Sequence, residues 1–154
     1  MTDVQWLNDD EDRAWRGLRR VNVLALAEIN RDLQRDSGLS DADYEVLTSL
    51  SESGGDRCRF GDLARLTRWS TSRLSHHLDR MQQRSLVDRA ERSDDARGSD
   101  VILTELGRTT IETAAPHHVR SVRRNIFDQL TESQIAQLAD IVTTILEPHE
   151  SRRD

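Results

Sequence analysis

Apolar positions in the first part of the chain recur at steps of three and four: Ala14, Leu18, Val21, Ala25, Ile29 and Leu33, with Trp15 beside them. That is the spacing of one helix face. It predicts a long helix over residues 11–37, stopped by Gly38. Ser40-Asp41-Ala42-Asp43 has the form of a capping box, with Asp in place of the usual Glu or Gln, and Leu39 and Tyr44 are placed as a hydrophobic staple across it. A second helix therefore starts near residue 41 and fades in "SESGGD". A short third helix is expected over residues 60–66, a turn at 67–69, and a fourth helix over about 70–84. The pattern then changes. Two short β-prone runs, residues 87–91 and 101–104, flank a polar tip and read as a hairpin. Thr104 can cap a fifth helix reaching about Gln129, which Pro116 should kink or restart. Thr131 to Gln134 is a further capping box, stapled by Leu130 and Ile135, and opens a sixth helix that should end near Leu146, before Pro148.

A short helix, a tight turn, a second helix and a β-hairpin make a winged helix-turn-helix. The expected fold is therefore mainly α with a small β-hairpin wing. The outer helices are left over, with apolar stripes and no sheet to cover. Hydrophobic residues are 35% and aromatics 4% of the 154 residues, a thin supply for one core, so those stripes must pack on each other or on a second copy. No apolar run approaches the roughly 20 residues that span a bilayer. The acidic, polar start is unlike a signal peptide, and the lone Cys58 cannot form an internal disulfide, so a cytoplasmic protein is expected.

The net charge of −6 argues against a nucleic-acid partner until its distribution is read. Residues 57–108 hold 11 Arg against 8 acidic residues, +3, while the rest holds 11 Arg against 20, −9. A basic centre between acidic flanks is an electrostatic footprint for DNA. The chain contains no lysine, so every basic group except the histidines is a planar, permanently charged fork.

Within the fourth helix, Leu74, Leu78 and Met81 mark a buried face, and the opposite side is expected to carry Arg73, His76, His77, Arg80 and Arg84. Ser70, Thr71 and Ser72 open the helix with hydroxyls and free N–H groups, which suit a phosphate oxygen. An exposed Arg in the first turn suits a guanine edge, where its fork bonds twice. The plainer alternative is a solvated amphipathic helix. The hairpin favours DNA: its tip places Arg97 between acidic neighbours, and a narrow minor groove favours an inserted Arg. Asp95 could hold that guanidinium extended and Gly98 allow the turn, although an Asp–Arg pair can also merely stiffen a surface loop.

The ordered set Asp79-Arg80-Met81, Leu86-Val87, Asp95-x-Arg97-Gly98 and Leu103-Thr104-x-x-Gly107 resembles the MarR family of bacterial transcription regulators, and "AAPHHVRSVRRNIFDQL" with the Trp15 region resembles an actinobacterial branch of it. The resemblance covers roughly residues 15–146. Ser85 stands where Gly is common, and His76 where Arg is common. The resemblance implies a single MarR-like domain over residues 1–154, with dimerisation helices at 11–37 and 105–147 and a winged helix-turn-helix lobe at 41–104. It implies a homodimer on a near-palindromic double-stranded DNA operator, its reading helices about one turn, ~34 Å, apart. A repressor released by a small aromatic or phenolic effector is expected, with Trp15, Tyr44 and Trp69 as candidate pocket residues; Trp15 equally suits the dimer core. A winged-helix module that binds a protein partner is the alternative.

Other chemistry finds little support. Cys58 lies outside the first helix, where peroxide-sensing members of the family carry their reactive thiol. His76-His77 and His117-His118 are adjacent pairs that diverge by about 100° on a helix, a poor arrangement for one metal ion. No phosphate loop or nucleophile–base constellation is evident, so no enzyme activity, metal or cofactor is expected.

Overall fold

The structure, a computed structural model, describes residues 4–91 and 99–150. They fall into two compact units: the described parts of residues 1–29 and 119–154, and those of residues 30–118.

In the first unit, α1 spans Asp9–Val21 and starts two residues before the expected position. The missed signal is Asn8. Its side chain accepts from the Glu11 N–H at 2.9 Å, while Glu11 accepts from the Asn8 N–H at 2.8 Å. The predicted single helix is also interrupted: Asn22–Leu26 is a π-helical turn, after which α2 runs Ala27–Ser37 into the second unit. Apolar periodicity cannot reveal an inserted residue when the stripe continues on both sides of it.

In the second unit, Gly38 ends α2 with a φ of +67°. The Ser40 capping box forms as expected, with Ser40 Oγ accepting from the Asp43 N–H at 3.1 Å and Asp43 accepting from the Ser40 N–H at 2.9 Å. It opens α3, Asp41–Glu52, which buries Asp43, Val46, Leu47 and Leu50. α4, Phe60–Thr67, ends on Arg68, which is left-handed at φ +56°. Ser70 then caps α5, Thr71–Gln83. The core of this unit is closed by Leu39, Leu47, Leu50, Leu63, Leu74, Leu78 and Met81, each with no exposed surface. Burial of such side chains contributes about 1.5–3 kcal/mol each.

The hairpin has a third partner that the sequence reading missed. β1, Arg57–Arg59, lies antiparallel to β3, Ser99–Leu103, and β2, Val87–Glu91, pairs with the other edge of β3, giving the order β1-β3-β2. Cys58 points inward opposite Val101, with an exposed Arg on either side. A three-residue strand with two charged members carries almost no period-two signal.

α6 runs unbroken over Glu105–Asn125. Pro116 does not restart it, because Pro116 and Glu112, whose carbonyl it cannot bond, both lie on the exposed side where water can serve that oxygen. α7, opened by the Thr131–Gln134 box, spans Glu132–Glu150 and likewise passes through Pro148 rather than ending at Leu146. Among the described residues no helix is long and apolar enough to cross a membrane.

Candidate nucleic-acid interface

α4 and α5 are joined by three residues, Arg68 to Ser70, the geometry of a helix-turn-helix. The turn works because Arg68 takes the left-handed position while Trp69 donates its N–H back to the Ala64 carbonyl at 3.0 Å. Ser70 Oγ accepts from the Arg73 N–H at 3.2 Å and so caps α5. Thr71 and Ser72 are exposed in the first turn, beside N–H groups that no helical carbonyl can reach.

Arg73, His76 and Arg80 are exposed, and at 100° per residue they fall within an arc of about 60°. The Arg73 guanidinium lies 4.0 Å above the Trp69 ring, a cation–π contact that aligns it without neutralising it. Trp69 itself is a core residue, 8% exposed, with the His77 ring edge-on at 5.2 Å.

His77 does not belong to the exposed arc. It is 7% exposed, and its spacing from Leu74, Leu78 and Met81 places it on the buried stripe. Its Nε2 is 3.0 Å from Asp43 Oδ1, although the ring N–H is not aimed squarely at that oxygen. Its Nδ1 is 2.9 Å from an Arg80 guanidinium nitrogen. Arg84 is likewise committed inward. It donates to Asp43 Oδ2 at 2.8 Å and to the Gly38 carbonyl at 2.9 Å, tying the end of α5 to the start of α3. Burial alone would raise the Asp43 carboxyl. The contacts with His77, Arg84 and Ser40 outweigh that and hold it well below the usual carboxylate range. This stabilisation is fully present above the ordinary carboxylate pKa and is lost as pH falls through the lowered one.

The wing root is clasped to α5 from the other side. Arg89 on β2 donates to the Ser75 carbonyl at 2.8 Å and pairs with Asp79 at 2.9 Å, while Gln82 donates to Asp88 at 2.9 Å. These supports were missed in the sequence because each links residues on different elements. The wing-tip candidates Asp95, Arg97 and Gly98 lie outside the described residues.

The candidate effector residues divide between the units. Trp15, 52% exposed, lines an open surface groove with Leu18, Arg19, Asn22 and Val23. Tyr44 is half-buried in the second unit with its ring 4.3 Å from that of His118, and Trp69 is buried in the core there. Cys58 is buried, and burial pushes its thiol up, away from the reactive thiolate.

Comparison with known proteins places this geometry. A MarR family profile matches residues 37–98. No curated protein sequence matches the chain. Among solved structures, AbsC, a MarR family transcriptional regulator from Streptomyces coelicolor, is similar at 43% identity, over 96% of this chain and 99% of that one, with a TM-score of 0.90. A second MarR family regulator from Streptomyces coelicolor, solved in complex with DNA, shares 34% identity over 94% of this chain and 91% of its own, at a TM-score of 0.89. A mutant MarR from E. coli, complexed with operator DNA, is 21% identical with a TM-score of 0.72, over 84% of this chain and 94% of its own, a likeness of fold. With a 43% identical relative matched over nearly the full length of both chains, and a winged helix-turn-helix whose second helix presents a basic arc, this protein belongs to the MarR family of DNA-binding transcriptional regulators.

Proposed function

We propose that the protein is a homodimeric repressor that reads a near-palindromic double-stranded operator through α5. The observation that carries this reading is the division of α5: Leu74, His77, Leu78 and Met81 lock one face into the core, while Arg73, His76 and Arg80 are exposed on another and Ser70, Thr71 and Ser72 are exposed at the helix start. A rigid buried face fixes the exposed side chains in a groove, and their charge attracts phosphate before any base is read. Ser70, Thr71 and Ser72 would meet the backbone, Arg73 a base edge, and Arg97 the adjacent minor groove.

Dimerisation is supported by the first unit, where Trp15, Leu18, Val21, Ile141 and Ile145 are about half exposed in the single chain. A second copy would cover them, and residues 11–37 and 105–147 would supply the interface. Binding of a small aromatic or phenolic effector would release the DNA. A cytoplasmic location follows from that role.

The test is a gel mobility shift on the DNA upstream of the protein's own gene, across a salt series and with candidate phenols. Tight binding with a steep negative salt slope is expected. Weak, salt-insensitive binding would favour a protein-partner role for the same arginines.

A further inference from the structure

Arg80 reaches the DNA-facing side of α5 from a position flanking the core, and one of its guanidinium nitrogens is already taken by His77 Nδ1 at 2.9 Å. A guanidinium has donors only, so Nδ1 must accept. That fixes the tautomer: the imidazole proton sits on Nε2, the nitrogen that faces Asp43 Oδ1 at 3.0 Å. The Asp43 carboxylate is itself immobilised, by Arg84 at 2.8 Å and by the Ser40 N–H at 2.9 Å, at the start of α3. Trp69, edge-on to the imidazole at 5.2 Å, restricts the ring on a further side. The result is a chain of polar contacts from the cap of α3, through a 7% exposed histidine, to an exposed arginine.

We infer that Asp43 and His77 are positioning residues that orient the Arg80 guanidinium for DNA by way of the contacts Asp43–His77–Arg80. The inference rests on the reading of α5 as the DNA-facing helix. A free arginine samples many rotamers, and immobilising one on binding costs affinity. Here one nitrogen is anchored before DNA arrives, and the remaining donors of the fork are left for phosphate or base. His77 thus influences binding without reaching the nucleic acid.

A double-mutant cycle on operator binding tests this. His77→Phe keeps an aromatic ring beside Trp69 but removes both nitrogens. It should weaken operator binding roughly tenfold, with a salt slope reduced by about one, as should Arg80→Ala. In the Arg80→Ala background, His77→Phe should cost nothing further. His77→Gln, which keeps a donor and an acceptor, should recover most of the affinity. Additive losses in the double variant would overturn the relay, since His77 would then act independently of Arg80. Normal operator binding by Arg80→Ala alongside a weakened Arg73→Ala would overturn the relay while leaving α5 as the reading helix. Normal binding by both would overturn that reading as well. Should His77→Phe fail to fold, nitrogen-15 NMR of the wild-type protein decides: a proton on Nε2 with an accepting Nδ1 is expected, and the opposite tautomer would overturn the proposal.

Discussion

Ser85 occupies the left-handed region at φ +57°, directly after the cap of α5, where a side chain is strained and glycine is not. Its carbonyl accepts from Thr104 Oγ1 at 2.6 Å, which holds the backbone in that conformation. The departure from Gly at this position therefore carries a local cost in backbone strain. Ser85→Gly is predicted to raise stability by about 0.5–1 kcal/mol, the relief of strain exceeding the added entropy of the unfolded chain. Urea unfolding would check it; a loss of stability would show that the Ser85 side chain contributes more than its strain costs. At the same scale His77 shows where the sequence reading failed. The spacing of positions 74, 77, 78 and 81 is visible in the sequence, but a polar side chain on an apolar stripe reads as part of the DNA-facing side when its partner, Asp43, lies 34 residues earlier in the chain.

Among the elements, the entry to α6 depends on one close approach. Thr104 Oγ1 accepts from the Gly107 N–H at 2.9 Å, and the Thr104 N–H donates to the Leu86 carbonyl at 3.3 Å. Gly107 faces that same Leu86 carbonyl so closely that a Cβ would collide with backbone, which cannot move aside as a flexible side chain would. Gly107→Ala is predicted to cost about 2–3 kcal/mol by forcing α6 away from β2. Thermal unfolding should show a lowered midpoint, whereas an unchanged midpoint would mean that the junction yields. The elements most legible in the sequence were those with caps: α3, α5 and α7 start where Ser40, Ser70 and Thr131 indicated, and the short α4 starts at Phe60 as expected although no side chain caps it. β1 escaped because three residues cannot establish a period, and the π turn at Asn22–Leu26 because its apolar residues belong to both adjoining helices. The exposed half of the candidate site, Ser70 to Arg73 with His76 and Arg80, was legible from the cap and the opposite apolar face. Its supports, Asp43, Arg84 and Arg89, were not, since they depend on tertiary contacts.

For the whole molecule, the two units have different needs. Residues 30–118 close a core of their own, whereas α1 and α7 contain no buried residue. An apolar surface of that kind is what the proposed second copy would cover. Val21→Asp, a charge within the α1 stripe, is predicted to shift the protein toward monomer at micromolar concentration and to weaken operator binding with it. Sedimentation equilibrium would show this; a dimer of unchanged affinity would remove α1 from the interface. The central claim is that α5 reads DNA sequence. It is tested most directly by titrating Arg73→Ala against the operator and against random DNA of equal length at the same moderate salt. The account predicts a loss of about 1–3 kcal/mol on the operator and much less on random DNA. Equal losses on the two DNAs, or none on either, would contradict it.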